Sequence, residues 1–267
     1  MSKEKNLLTD ENFRSSIQKG FAEEFYLSHI TRKYSYWITL LFIRFKIHSN
    51  TVTALSFVFA VIGAVLQSSL NTVSLSISIL MMLLYNILDH VDGEVARFEI
   101  KVNQEQKGLD GPYYDALVHY FFTPLLFFAL GLADYKTHGY ELSLWCGLII
   151  GMWLSSYSQS AAYRVILDFI VRNDNNSKTL KKIEPVWKHD KTEKGSITIK
   201  EHFYYFLREC FSTQGVIYTL TALHLISLFF PHYFQLRFYY LYLMSGVALL
   251  NTPRICYKYF NQLKKIK

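Results

Sequence analysis

Cysteine is scarce in this chain: Cys146, Cys210 and Cys256 are an odd number, and no CxxC pair occurs among them. That argues against a disulfide framework and a zinc knuckle. Charge is also thin, at 18% of residues against 51% hydrophobic ones, and the mean hydropathy of +0.13 lies above that of an ordinary soluble domain. No internal repeat or low-complexity segment is present. Met1 to Glu24 carries charges of both signs and has no apolar centre, which argues against a cleaved signal. A protein retained whole in a membrane is expected. The net charge of +7 comes with no nucleic-acid reading motif, and its basic residues are spread over segments that flank apolar runs. No nucleic-acid partner is expected.

Apolar runs nearly free of charge recur at Thr51 to Gln67, Val73 to Leu88, Ala116 to Ala133, Leu142 to Ala162, Gly215 to Pro231 and Phe238 to Thr252. Each approaches the roughly 20 residues that a helix needs to cross hydrocarbon, and each is too long and continuously apolar for a barrel strand. Backbone polar groups cannot go unpaired in lipid, so the expected fold is all-α: a polytopic membrane protein with six transmembrane helices. Tyr26 to His48 mixes aromatics with Arg32, Lys33, Arg44 and Lys46, the pattern of an amphipathic helix lying in the interface, with a seventh crossing as the competing reading. The chain thus divides into a cytoplasmic and interfacial segment (1–48), a membrane domain (49–260) and a basic tail (261–267).

Of the 28 Lys and Arg, only Lys136 and Arg237 fall on the outer side if Met1 lies inside. The positive-inside rule then puts both termini and the acidic helix ends in the cytoplasm. The net charge reads as attraction to anionic lipid headgroups and anionic substrates. The polar stretch Arg172 to Lys200 reads as a solvated loop.

Two acidic clusters stand where apolar runs meet water. Asp89-His90-Val91-Asp92-Gly93-Glu94-Val95-Ala96-Arg97 closes the second run, and Gly111-Pro112-Tyr113-Tyr114-Asp115-Ala116-Leu117-Val118-His119 opens the third. Residues three or four apart share a helix face, so Asp89, Asp92 and Ala96 align, as do Gly111, Asp115 and His119. Joined by the short loop Phe98 to Asp110, two antiparallel helices gather three carboxylates and an imidazole, a costly group in lipid unless it holds cations. Hard oxygen ligands suit Mg2+ or Mn2+, and two such ions can clamp the attacking and leaving oxygens of a phosphoryl transfer. Gly93 and Gly111 leave room for close approach, and Arg97 offers a planar fork for phosphate. Glu94 and Asp110 read as solvated. In the fourth run, Ser156, Ser160 and Arg164 share a face with Gln159 and Tyr163 nearby, and Arg164 is a candidate holder of an anionic acceptor or lipid phosphate.

The two clusters resemble the signature of the CDP-alcohol phosphotransferase family, Asp-x2-Asp-Gly-x2-Ala-Arg, a spacer, then Gly-x3-Asp-x3-Asp. Asp89, Asp92, Gly93, Ala96, Arg97, Gly111 and Asp115 match it in order. Ser49-Asn50-Thr51-Val52-Thr53 is similar to the family's Pro-Asn-x-x-Thr, with Ser49 in the proline's place. The spacer is longer than usual, and His119 stands where the family has its last aspartate. The resemblance implies two metal ions held by Asp89, Asp92, Asp115 and His119, and cytidine near Gly93, Ala96 and Gly111. It also implies phosphate contacts from Asn50, Thr53 and Arg97, a homodimer, and transfer from a CDP-alcohol donor to an acceptor alcohol with CMP released. In the family the last aspartate is regarded as the base that deprotonates the acceptor, and imidazole can fill that role near neutral pH. Two other readings stay open. Imidazole is a poorer partner for Mg2+ than carboxylate, which would leave a nucleotide-binding protein with little turnover. A cation-coupled transporter would instead place its acids between broken helices near the membrane midplane.

Overall fold

The computed structural model describes Arg14, Ile17, Gln18 and residues 26–103, 110–154 and 212–264. Every regular element among them is helical: α1 (Tyr26–Arg44), α2 (Ser49–Leu66), α3 (Thr72–Asn103), α4 (Asp110–His138), α5 (Leu142–Leu154), α6 (Thr213–Phe229), a 3-10 turn (Pro231–Gln235) and α7 (Leu236–Lys264). Among the described residues, α2, α3 and α4 contain stretches long and apolar enough to cross a membrane, while α5 and α6 are apolar but shorter. Arg164, the face it shares with Ser156 and Ser160, and the 172–200 stretch lie outside the described residues.

The side chains are sorted as lipid would sort them. On α2, Leu55, Val58, Ile62 and Val65 point outward, while Thr53, Ser56, Ala60, Gly63 and Ala64 are buried. On α1 the inversion is sharper: Trp37 and Tyr34 are 70% and 57% exposed, whereas Thr31, Arg32, Ser35 and Thr39 are buried. An apolar exterior around a partly polar interior needs no water on the outside, provided each buried polar group finds a partner.

Helix α3 is the axis, packing against α1, α2 and α6. At 32 residues it is about 48 Å long at 1.5 Å per residue, well beyond the roughly 30 Å of hydrocarbon that a crossing helix must cover. The sequence suggests a loop from Phe98 to Asp110, but the helix runs on through Phe98–Asn103 and takes half of that loop. Its core side chains Ile79, Met82 and Tyr85 join Phe122, Leu126 and Leu130 of α4, Ile217 and Leu220 of α6, and Phe238, Leu241 and Met244 of α7. A smaller cluster of Val52, Leu88, Val91 and Val95 is roofed by Ile38, Phe42 and Ile43 of α1.

Two details lock the opposite end of the bundle. Lys136 Nζ and Arg237 Nη2 donate to the carbonyls of Ser68 and Ser69 just past the C-terminus of α2, each at 3.3 Å. Asp134, 1% exposed, accepts from Ser143 Oγ and Tyr242 Oη, both at 2.5 Å, and tethers α4 to α5 and α7. Between α4 and α5 the backbones touch, and a Cβ on Gly147 would overlap the Phe127 carbonyl oxygen. Small residues permit such approach in membrane bundles. Gly147→Val is expected to lower stability by about 1–3 kcal/mol through overpacking, read as a fall in the unfolding temperature of the protein in detergent. Gly246→Ala, where nothing lies within 4 Å of the added carbon, should not lower it.

Candidate functional site

Helix α3 turns polar side chains toward each of α1, α2, α4 and α6, because polar residues there are spaced to point in different directions. Asp89 turns toward α4, Asp92 toward α2, Glu94 toward α1 and His90 toward α6. His119 Nε2 lies 3.2 Å from Asp89 Oδ1 and 3.4 Å from Asp115 Oδ1. On the other side of the ring, Nδ1 lies 2.9 Å from the hydroxyl of Tyr85. Thr53 Oγ1 donates to Asp92 Oδ2 at 2.8 Å, which fixes the second acid of the cluster against α2. Gln214 Nε2 lies 3.0 Å from His90 Nε2.

The two stripes do meet. One ligand atom each from Asp89, Asp115 and His119 lies within 4.8 Å of the others, a donor set of two carboxylates and one imidazole that fits a divalent cation. Asp92 stands beside this trio, 8% exposed and hydrogen-bonded through one oxygen to Thr53. Asp115 is the most open of the ligands, with 48% of its side chain exposed, against 14% for Asp89 and 22% for His119. Asn50 is exposed and comes near the start of α4, its Oδ1 4.0 Å from where a Cβ on Gly111 would lie. Gly93 and Ala96 are half-buried on α3. Arg97 is turned along its own helix: Nε donates to the Ile17 carbonyl, and Nη1 lies 3.4 Å from a would-be Cβ on Gly93. No protein-family model and no curated protein matches this chain.

The expectation of a solvated Glu94 is overturned. Its carboxylate is wholly buried and accepts from Gln18 Nε2 at 2.9 Å, Ser35 Oγ at 2.8 Å and Thr39 Oγ1 at 2.6 Å, with Arg32 Nη1 3.6 Å away. Arg32, Ser35 and Thr39 recur at helical spacing, so a polar stripe on α1 was legible, while its partner was not. A second polar knot joins Thr31, Asn86 and Tyr218, with Thr31 Oγ1 and Tyr218 Oη 2.5 Å apart. Tyr85 also escaped the sequence reading. It lies four residues before Asp89, one turn down the same face, and that spacing is the signal that would have found it.

Breaking a buried ion pair leaves the remaining charge uncompensated. Glu94→Ala is therefore expected to cost about 3 kcal/mol in detergent unfolding. Glu94→Gln, which keeps an acceptor for the two hydroxyls, should cost clearly less.

Proposed function

We propose that this chain is a membrane-embedded phosphotransferase. It moves a phosphoalcohol group, phosphatidyl by preference, from a CDP-alcohol to an acceptor alcohol and releases CMP, in phospholipid or related lipid biosynthesis. The observation that carries this reading is the convergence of Asp89, Asp92, Asp115 and His119 from two helices at the end of an apolar bundle. Those residues stand in the order of the family signature that they resemble. The six-span architecture with an interfacial α1, the cytoplasmic placement of the site and both termini, and a homodimer belong to the same proposal. The charge distribution supports the orientation.

Two divalent ions, Mg2+ or Mn2+, bound by Asp89, Asp92, Asp115 and His119, would neutralise the diphosphate and favour in-line displacement. The chain's own residues do the rest. Thr53 holds Asp92 in place through its hydroxyl. Gly93, Ala96 and Gly111 leave space for the cytidine, and Asn50 reaches the same end of the bundle. Arg164 is proposed to hold an anionic acceptor or lipid phosphate. The acceptor oxygen forms a bond to the phosphorus that carries the donor's alcohol, the bond from that phosphorus to the CMP oxygen breaks, and the hydroxyl proton leaves to a base. We propose Nε2 of His119 as that base where it is not bound to an ion, and the half-exposed carboxylate of Asp115 otherwise.

A second reading has one observation in its favour. Both ring nitrogens of His119 already have partners, so a protonated imidazole can serve as the counter-ion of Asp89 and Asp115 and leave a nucleotide-binding protein with little turnover. The transporter reading gains no support, since α3 runs unbroken through its acids.

Purified protein in detergent, given Mg2+ or Mn2+ and a panel of CDP-diacylglycerol, CDP-glycerol, CDP-choline and CDP-ethanolamine against lipid and polar alcohols, is expected to release CMP with one donor and acceptor pair. Asp89→Asn and His119→Ala should each abolish that release. Retained CDP binding with no CMP from any pair would sink the transferase reading in favour of the second.

A further inference from the structure

His119 offers the site a single nitrogen. Its Nδ1 is held by the Tyr85 hydroxyl at 2.9 Å, and the Tyr85 ring is 1% exposed and packed on Phe122 with centroids 4.6 Å apart. Neither the ring nor its hydroxyl has room to swing into the site. An edge-to-face contact between the Tyr85 and His119 rings, with centroids 6.1 Å apart, holds the imidazole from the same side. Nε2 is thereby aimed between Asp89 Oδ1 and Asp115 Oδ1, at 3.2 and 3.4 Å. A hydrogen bond on one imidazole nitrogen that leaves the other facing two carboxylates is the arrangement by which a metal-binding histidine is oriented.

The donor set is mixed. Carboxylates accept Mg2+ and first-row transition ions alike, but Mg2+ favours oxygen ligands and gives up its water reluctantly. An imidazole nitrogen suits transition ions. We infer that Asp89, Asp115 and Nε2 of His119 form a site selective for a first-row divalent ion over Mg2+, with Tyr85 as the residue that positions the imidazole. This deepens the transferase reading and rests on it for its role in turnover, but the metal preference is measurable without any donor. A lone pair given to a metal is closed to a proton, so a carboxylate oxygen, and not His119, then takes the acceptor's proton.

Mn2+ alone, added to the full chain in detergent, is the probe. Pulsed EPR of the bound ion is expected to show coupling to a 14N nucleus in the unaltered protein and none in His119→Asp. Competition between the two ions should show a preference for Mn2+ over Mg2+ that falls about tenfold or more in His119→Asp. Tyr85→Phe should keep the nitrogen signal while weakening Mn2+ binding by about tenfold. Bound Mn2+ with no nitrogen coupling, a preference unchanged in His119→Asp, or no Mn2+ binding at all would each overturn the inference. CMP release without nitrogen coupling would overturn this site while sparing the transferase reading. Nitrogen-coupled Mn2+ without CMP release from any donor would do the reverse.

Discussion

The contact between Asp89 on α3 and His119 on α4, 3.2 Å long, joins the two acidic helices across the site. Its geometry depends on the layer beneath it. Tyr85 holds the ring from one side, and Phe122 and Leu126 of α4 fill the space below. Within lipid, such a polar pair is retained only where the surrounding packing leaves it no alternative partner, since unpaired charge there is expensive. Moving α4 by one residue would turn His119 about 100° around the helix and carry it, together with Asp115, away from Asp89. The core register and the site are therefore one arrangement.

The same logic extends around α3. Asp92 reaches Thr53 on α2, Glu94 reaches Ser35 and Thr39 on α1, Glu99 accepts from Ser49 Oγ at 2.8 Å, and Asn86 reaches Tyr218 on α6. Each neighbour is pinned by a hydrogen bond that lipid cannot replace, while hydrophobic contact sets only approximate positions. Apolar packing between helices supplies little orientation when the surrounding solvent is itself apolar. The polar contacts of α3 supply it.

How much of this was legible differs from residue to residue. The helices α2, α3 and α4 followed from run length, and the pairing of Asp89 with Asp115 and His119 followed from helical spacing and a short connection. Glu94 did not, because its burial depends on α1 lying across α3, and nothing in the local pattern around Glu94 distinguishes a buried acid from a solvated one. Tyr85 was visible as one more aromatic in an apolar run, and only the neighbouring ring of His119 singles it out. Arg97 was readable as a cation near phosphate-sized space, yet its Nε is engaged with the Ile17 carbonyl, a contact about eighty positions away along the chain that no local pattern encodes. Lys136 and Arg237 were useful as topology markers, and the structure shows them also closing the end of α2.

The sequence by itself determined that the chain is helical and apolar and that its acids cluster at the ends of two adjacent runs; of the six crossings it suggested, the described helices include three long and apolar enough to span a membrane. These properties follow from composition and from spacing within one helix, which are local. Tertiary structure alone decided which way each acid of α3 faces a partner, that Glu94 is buried, and that His119 shows the site one nitrogen and gives the other to Tyr85. Those outcomes depend on the rotation and register of separate helices against one another. Rotation and register are set by the summed fit of side chains that lie far apart in the chain.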